Sequence, residues 1–297
     1  MTLTDDELMM WNQQGLIPGP DENEENFERR ATFCRTLKNT FVKDVGSEIS
    51  GEFDAALSRH LIHEVAPLTR ELFDIVPDWV PIIFSNHRMS FWHGGSAWIF
   101  QLNEESPTAA FFQLREVFAD KLRYLGFYER NELLAHESSH VGRMLFEEPK
   151  FEELLAYRTS NSPFRRWIGP IVQSPWESLL FVIVLLLSFL GDLLITISGY
   201  ADPNHSMLWI KLLPLLLIFI GLGRVWRRHH QFDKCLKKLR MMLGSDSANA
   251  VIYRLLDEEV IAFGAMSERQ ILEYASMQAL ESLRWRVIKK AYFESFS

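Results

Sequence analysis

The sequence predicts a mainly α-helical protein with a small β-sheet and a two-helix transmembrane hairpin. Three observations predict it. From Phe27 to Phe73, and again after Ala248, apolar residues recur at intervals of three and four, the helical period. Residues 79–102, WVPIIFSNHRMSFWHGGSAWIFQL, instead read as two β-rich runs with Gly94 and Gly95 in or beside the second. Two apolar runs then stand close together at 178–198 and 207–223.

Taken in order, residues 1–26 form an N-terminal polar segment. DDELMMWNQQG has a helical look, and PGPDENEEN reads as a linker or exposed turn. The acidic start lacks the basic and apolar regions of a secretory signal. Residues 27–170 form the first large domain: helices to Phe73, the small sheet, a helix over TAAFFQLREVFADKLRYLGF that ends near Gly126, and another that begins near Glu129. In 171–223, SLLFVIVLLLSFLGDLLITIS is long enough to cross a hydrocarbon core of about 30 Å at about 1.5 Å per residue. The shorter MLWIKLLPLLLIFIGLG follows after GYADPNH, which leaves room only for a turn, so the two runs make a hairpin. Asp192 and Lys211 lie toward its turn end, placed to pair or to reach the interface. Residues 224–297 form a helical C-terminal region, predicted as two or three amphipathic helices packed on the first domain.

Charge sets the orientation. Arg165 and Arg166 precede the first run, RVWRRHHQFDKCLKKLR follows the second, and the connecting turn has no lysine or arginine. Both termini and the bulk of the chain are therefore expected on the cytoplasmic side of an integral membrane protein with two spans, with the lipid bilayer as a partner. A formal net charge of -8 points away from nucleic acid. Cys34 and Cys235, far apart and in no CxxC pattern, indicate neither a disulfide framework nor a thiolate zinc site.

The chemistry resides in NELLAHESSHVGRMLF, residues 131–146. His136 and His140 are four apart, so on a helix both imidazoles project from one face toward a single cation, with Glu137 beside them. Zinc on neutral histidines lowers the pKa of its water to about 7, and a neighbouring carboxylate accepts the proton while the metal polarises a peptide carbonyl. Leu134, Ala135, Ser138, Ser139, Val141 and Gly142 are uncharged and mostly small, as expected of a helix packed against a fold. The aromatic-rich sheet upstream fits an edge strand that pairs with an extended peptide.

HESSH is an HExxH motif, and at these residues the chain resembles the zincins, zinc metallopeptidases, and within them the glutamate-liganded gluzincin type. The resemblance covers about thirty residues. It implies an α+β zincin-like catalytic domain, bound Zn2+, Glu137 as general base for hydrolysis of a peptide or protein substrate, and a third ligand from a glutamate in an E-x-x-A pattern. Glu153 with Ala156 and Glu259 with Ala262 both match. The third histidine of the metzincins is absent. If the helix runs about six residues past His140 and Pro149 opens a returning helix, Glu153 comes back to the height of the histidines. Membrane-embedded zinc proteases that carry a transmembrane pair between HExxH and the ligand favour Glu259 instead, and Glu153 is taken first with Glu259 as the alternative. Tyr157, one turn beyond Glu153, is a candidate oxyanion donor, as are Tyr253 or Arg254 if the C-terminal helices close over the site. His93, His60 and His63 read as surface or core histidines, and His229 and His230 as headgroup contacts. The competing reading is a non-catalytic membrane adaptor, anchored by the hairpin, in which HESSH is structural.

Overall fold

The structure, a computed structural model, describes residues 3–44, 52–172, 175–198 and 206–294. It is mainly helical with a small sheet.

Helix α1 (Asp5–Gln13) starts at a capping box in which Thr4 and Glu7 exchange hydrogen bonds, closing two otherwise unpaired donors. Residues 1–26 were expected as a polar segment, yet Leu8, Trp11, Leu16 and Ile17 are buried. Arg30 fixes the stretch by bonding Glu22 at 2.7 and 2.8 Å and the Ile17 carbonyl at 2.9 Å. The last residues of the expected linker are the first turn of α2 (Glu24–Asp44). After β1 (Glu52–Phe53), α3 (Ala55–Phe73) is capped by the Asp54 carboxylate.

The two β-rich runs contain β2 (Ile82–Phe84) and β3 (Gly95–Phe100). The expected helix over residues 108–127 is largely wrong. Its first part is β4 (Ala109–Leu114), followed by a short α4 (Val117–Asp120) and a hairpin of β5 (Arg123–Tyr124) and β6 (Tyr128–Glu129). All six residues of β4 are buried, and a short run apolar on both faces carries no period that separates strand from helix. The sheet order is β1-β2-β4-β3, with β4 parallel to β2 and antiparallel to β3, so β3 is an edge strand.

Next come α5 (Arg130–Gly142), α6 (Pro149–Tyr157), α7 (Pro163–Ile168) and a single 3-10 turn at Gly169–Ile171. Then α8 (Pro175–Ser198) supplies the one helix among the described residues long and apolar enough to cross a membrane, from Trp176 to Ser198. The second apolar run is no separate helix. It is the beginning of α9 (Ser206–Leu243), which continues unbroken through the basic stretch for 38 residues. The connecting turn and the side chain of Lys211 lie outside the described residues, and with them the expected pairing to Asp192.

The C-terminal region has more helices than the expected two or three: α10 (Ser245–Arg254), α11 (Asp257–Ala265), α12 (Glu268–Glu281), α13 (Leu283–Ile288) and a π turn at Lys289–Phe293. One core cluster joins α1, α2, α3, the sheet and α5; a second joins the end of α3 and α6 to α9 through the π turn. Helices α5 and α6 meet at the seam between them.

Candidate metal centre

Helix α5 buries the backs of its motif residues and satisfies their polar groups locally. Ser138 Oγ donates to the Leu134 carbonyl at 2.7 Å and Ser139 Oγ to the His136 carbonyl at 2.8 Å. The helix stops two residues after His140 rather than six. At Gly142 a Cβ would stand 2.2 Å from the Tyr253 hydroxyl, which reaches in to donate to the Ser139 carbonyl at 2.7 Å. Pro149 opens α6 at its first helical position, as expected. A distant residue completes that end: the Asp257 carboxylate accepts from the Lys150 and Phe151 amides at 2.8 and 3.2 Å.

The returning helix brings Glu153 to the histidines. His136 Nε2 and His140 Nε2 are 3.4 Å apart, and the Glu153 carboxylate oxygens lie 3.7 and 3.8 Å from them. These three residues form the one His/Cys/Asp/Glu group among the described residues whose ligand atoms could hold a metal. For zinc–ligand bonds of about 2.0–2.1 Å at tetrahedral angles, ligand atoms stand roughly 3.3 Å apart. The two nitrogens already have that spacing, while the carboxylate, with a different oxygen nearest each nitrogen, has to draw closer to ligate through one of them. Two imidazoles and one carboxylate are also a donor set that suits zinc.

Further partners orient these side chains. Glu152 Oε1 lies 3.0 Å from His140 Nδ1, while its other oxygen accepts from Arg143 Nε at 2.7 Å. Arg143 in turn donates to the Tyr253 and Leu255 carbonyls at 2.6 and 3.0 Å. His136 packs edge-on against the Tyr157 ring at 4.9 Å. Such outer contacts turn both Nε2 atoms toward one point.

Electrostatics follow from these neighbours. Burial, then the nearby His140, pulls His136 down to about 3. Burial also opposes charge on His140, but the Glu152 hydrogen bond and the charges of Glu152, Glu137 and Glu153 outweigh it and hold its pKa up at about 9. Burial raises Glu137 and Glu153 above the usual carboxylate range. Glu152 is lowered, since Arg143 and His140 overcome its burial.

Strand β3 lies across α5. The Ala97 amide donates to Glu137 Oε2 at 2.7 Å, so at Ala97 the main chain points away from β4 and toward the free edge. Antiparallel alternation turns Ile99 the same way. A cleft of about 700 Å³ runs between this edge and the ligands, lined by Ala97, Ile99, His136, Glu137, His140 and Glu153. A smaller one of about 310 Å³ reaches His136 and Glu137 from the other side, past His93, Phe127, Tyr128, Tyr157 and Arg165.

The remaining sequence candidates lie elsewhere. Glu259, the alternative ligand, accepts from Arg284, Trp285, Tyr274 and the Leu256 amide, and is not in the histidine group. Tyr253 is buried, its hydroxyl committed to Ser139, and Arg254 is buried on the Asn12 side chain and the Phe73, Asp74 and Ala250 carbonyls. Neither faces the cleft. His93 lines the smaller cleft, whereas His60 pairs with Glu64 on the surface at 3.3 Å and His63 is exposed. His229 and His230 stack on Trp167 and Trp226. Arg143 and Glu152 have no sequence signal beyond adjacency to the motif and to Glu153, and the Ala97 amide, 40 residues from Glu137, has none. Comparison with protein-family models, with curated proteins and with solved structures finds no match to this chain.

Proposed function

We propose that this chain is a membrane-anchored zinc-dependent endopeptidase with a zincin-like site. The observation that carries the reading is the convergence of His136, His140 and Glu153, with Glu137 beside them, under the open edge of β3. His136, His140 and Glu153 would hold the metal. Bound there, zinc supplies Lewis acidity, toward a water and toward the carbonyl of the bond to be cut.

The chain's own groups do the rest. The Ala97 amide fixes one Glu137 oxygen, leaving the other to take a proton from the attacking water and pass it to the departing amine. Burial raises the Glu137 pKa above the ordinary carboxylate value. The outward main-chain groups at Ile99 pair with an extended peptide laid along β3. Tyr157, whose pKa burial raises, stays protonated as a donor to the developing oxyanion.

In this reading α8 spans the bilayer and the first part of α9 returns through it. The arginines and lysines at the base of the pair keep both termini and the site on the cytoplasmic side. Substrates are then peptides or proteins near the membrane.

The test is zinc per chain, by elemental analysis of detergent-purified protein, with proteolysis measured alongside. One zinc is expected in the parent and in Glu259→Ala, and none in His140→Ala or Glu153→Ala. Glu137→Gln should keep the zinc and lose at least a hundredfold in rate, the low end of what a positioned base contributes, about 10²–10⁴-fold. A well-folded parent that takes up no zinc even on reconstitution sinks the proposal in favour of the adaptor.

A further inference from the structure

Beside the site lies an apolar face that the peptidase reading does not use. Phe91 and Trp92 before β3, Leu125 and Phe127 at the β5–β6 tip, and Phe164 and Trp167 on α7 are all exposed, from 42% at Trp167 to 68% at Phe164. They belong to one connected surface. Tyr124 Oη donates to the Phe91 carbonyl at 2.6 Å, the Tyr124 and Tyr128 rings stack at 6.5 Å, and Phe127 packs on Tyr128 at 4.6 Å. Arg165 Nη1 donates to the Phe127 carbonyl at 3.3 Å, which ties the hairpin to α7. Scattered apolar residues on a surface are ordinary; a joined patch marks an interaction site.

The tip itself runs against water. Leu125 has φ 52° and Gly126 φ 78°, the left-handed region that favours glycine or asparagine. A leucine there suits neither the backbone nor the solvent, so its side chain calls for an apolar environment.

Helix α9 measures where the face stands relative to the anchor. Arg224 pairs with Glu177 at the start of α8, Arg228 donates to the Pro170 carbonyl at 2.5 Å, and His229 Nε2 lies 3.0 Å from the Trp167 carbonyl. From Arg224 to His229 the helix rises about 7.5 Å. The polar interfacial layer of a bilayer is roughly 5–8 Å thick on each side. With α8 across the membrane, α7 therefore sits within or just beneath that layer, and the hairpin tip is one hydrogen bond from α7.

We propose that this face docks on the interfacial layer of the bilayer, seating the mouth of the smaller cleft among the lipid headgroups. Tryptophan concentrates at that depth, phenylalanine and leucine bury at the headgroup–acyl boundary, and exposed Arg123 and Arg166 on the same elements meet anionic headgroups. Phe127, Tyr128 and Arg165 belong both to this region and to the cleft that leads to His136. A polypeptide leaving the bilayer would enter there, which narrows the substrate class to juxtamembrane segments. The docking rests on α8 spanning the membrane and stands apart from peptidase activity.

The experiment places an environment-sensitive fluorophore on single introduced cysteines in the full chain. The chain is reconstituted in phosphatidylcholine vesicles with a minor share of phosphatidylglycerol; native Cys34 and Cys235 are buried. Trp92→Cys and Leu125→Cys test the face, Leu187→Cys the middle of α8, and Leu280→Cys, 88% exposed on α12, is the aqueous control. Shallow spin-labelled lipid is expected to quench positions 92 and 125, and deep spin-labelled lipid position 187, with position 280 unaffected. Positions 92 and 125 as unquenched as 280, with 187 quenched, would overturn the docking face and leave the anchor standing. An unquenched 187 would remove the anchor and the docking together. A blue shift at 125 that follows protein density without lipid quenching would assign the face to a second copy and overturn the proposal.

Discussion

His140 stands between two carboxylates with different tasks. Glu153 faces its Nε2 from the side where a metal would lie, and Glu152 faces its Nδ1 from behind. Neighbours in sequence, they reach opposite sides of one ring because successive helical residues point about 100° apart. Glu152 is itself held by Arg143, which is anchored on two carbonyls at the end of α10 and just beyond it. Outer-shell partners of this kind contribute about 10–100-fold to metal affinity. If the site holds zinc as proposed, Glu152→Ala should retain one zinc at saturation yet bind it about 10–100-fold more weakly in competition titrations with a chelator. Glu153→Ala should lose the ion outright, and that contrast separates the ligand from its support. Equal zinc affinity in Glu152→Ala and the parent would show that His140 needs no such support.

At the scale of elements, the site depends on how closely β3 approaches α5. Gly95 permits the contact: a Cβ there would meet Leu114 at 2.7 Å, Leu133 on α5 at 2.9 Å and the Gln113 carbonyl at 3.0 Å. Gly95→Ala requires the Leu114 and Leu133 side chains to repack or the strand to move outward, at a cost of about 1–3 kcal/mol for overpacking. Because the Ala97 amide holds Glu137, on the proposed peptidase reading any displacement of the strand should lower proteolysis at least tenfold while zinc per chain stays at the parent's value. Loss of zinc in step with activity would mean that the strand supports the proposed ligands and not the proposed base. The same scale accounts for the misread β4, whose identity as a strand comes from partners on both sides.

Across the whole molecule, the C-terminal helices are part of the site's foundation. Asp257 caps α6, the Tyr253 hydroxyl reaches the motif helix, and the carbonyls beyond it hold Arg143. This region is organised around Glu259, whose carboxylate gathers Arg284, Trp285 and Tyr274. Burial works to raise the Glu259 pKa, but Arg284, the Leu256 amide and Trp285 outweigh it and leave it below the ordinary carboxylate value. A carboxylate with a depressed folded pKa stabilises the fold above its unfolded value and loses that contribution as pH falls through the folded value. Glu259→Gln leaves Arg284 buried without its counter-charge, which should cost about 3–5 kcal/mol at neutral pH. In melts followed by circular dichroism, the gap between variant and parent should be full at neutral pH and narrow as pH falls through the lowered Glu259 pKa. A gap independent of pH would mean that packing, and not charge, is what Glu259 contributes.

Local rules made much of this legible before any fold was known. The spacing of His136 and His140 is a property of one helix, Pro149 announces the return of the chain, and the apolar length of α8 reads from composition alone. These need only neighbours in sequence. What depended on the tertiary structure was every contact made by residues far apart: the choice of Glu153 over Glu259, the support of Glu152 and Arg143, the Ala97 amide on Glu137, and the early end of α5 under Tyr253. A glutamate with an alanine three residues on looks the same whether it faces two imidazoles or a buried arginine. Only the packing of α6 against α5, and of α13 against α11, tells the two apart.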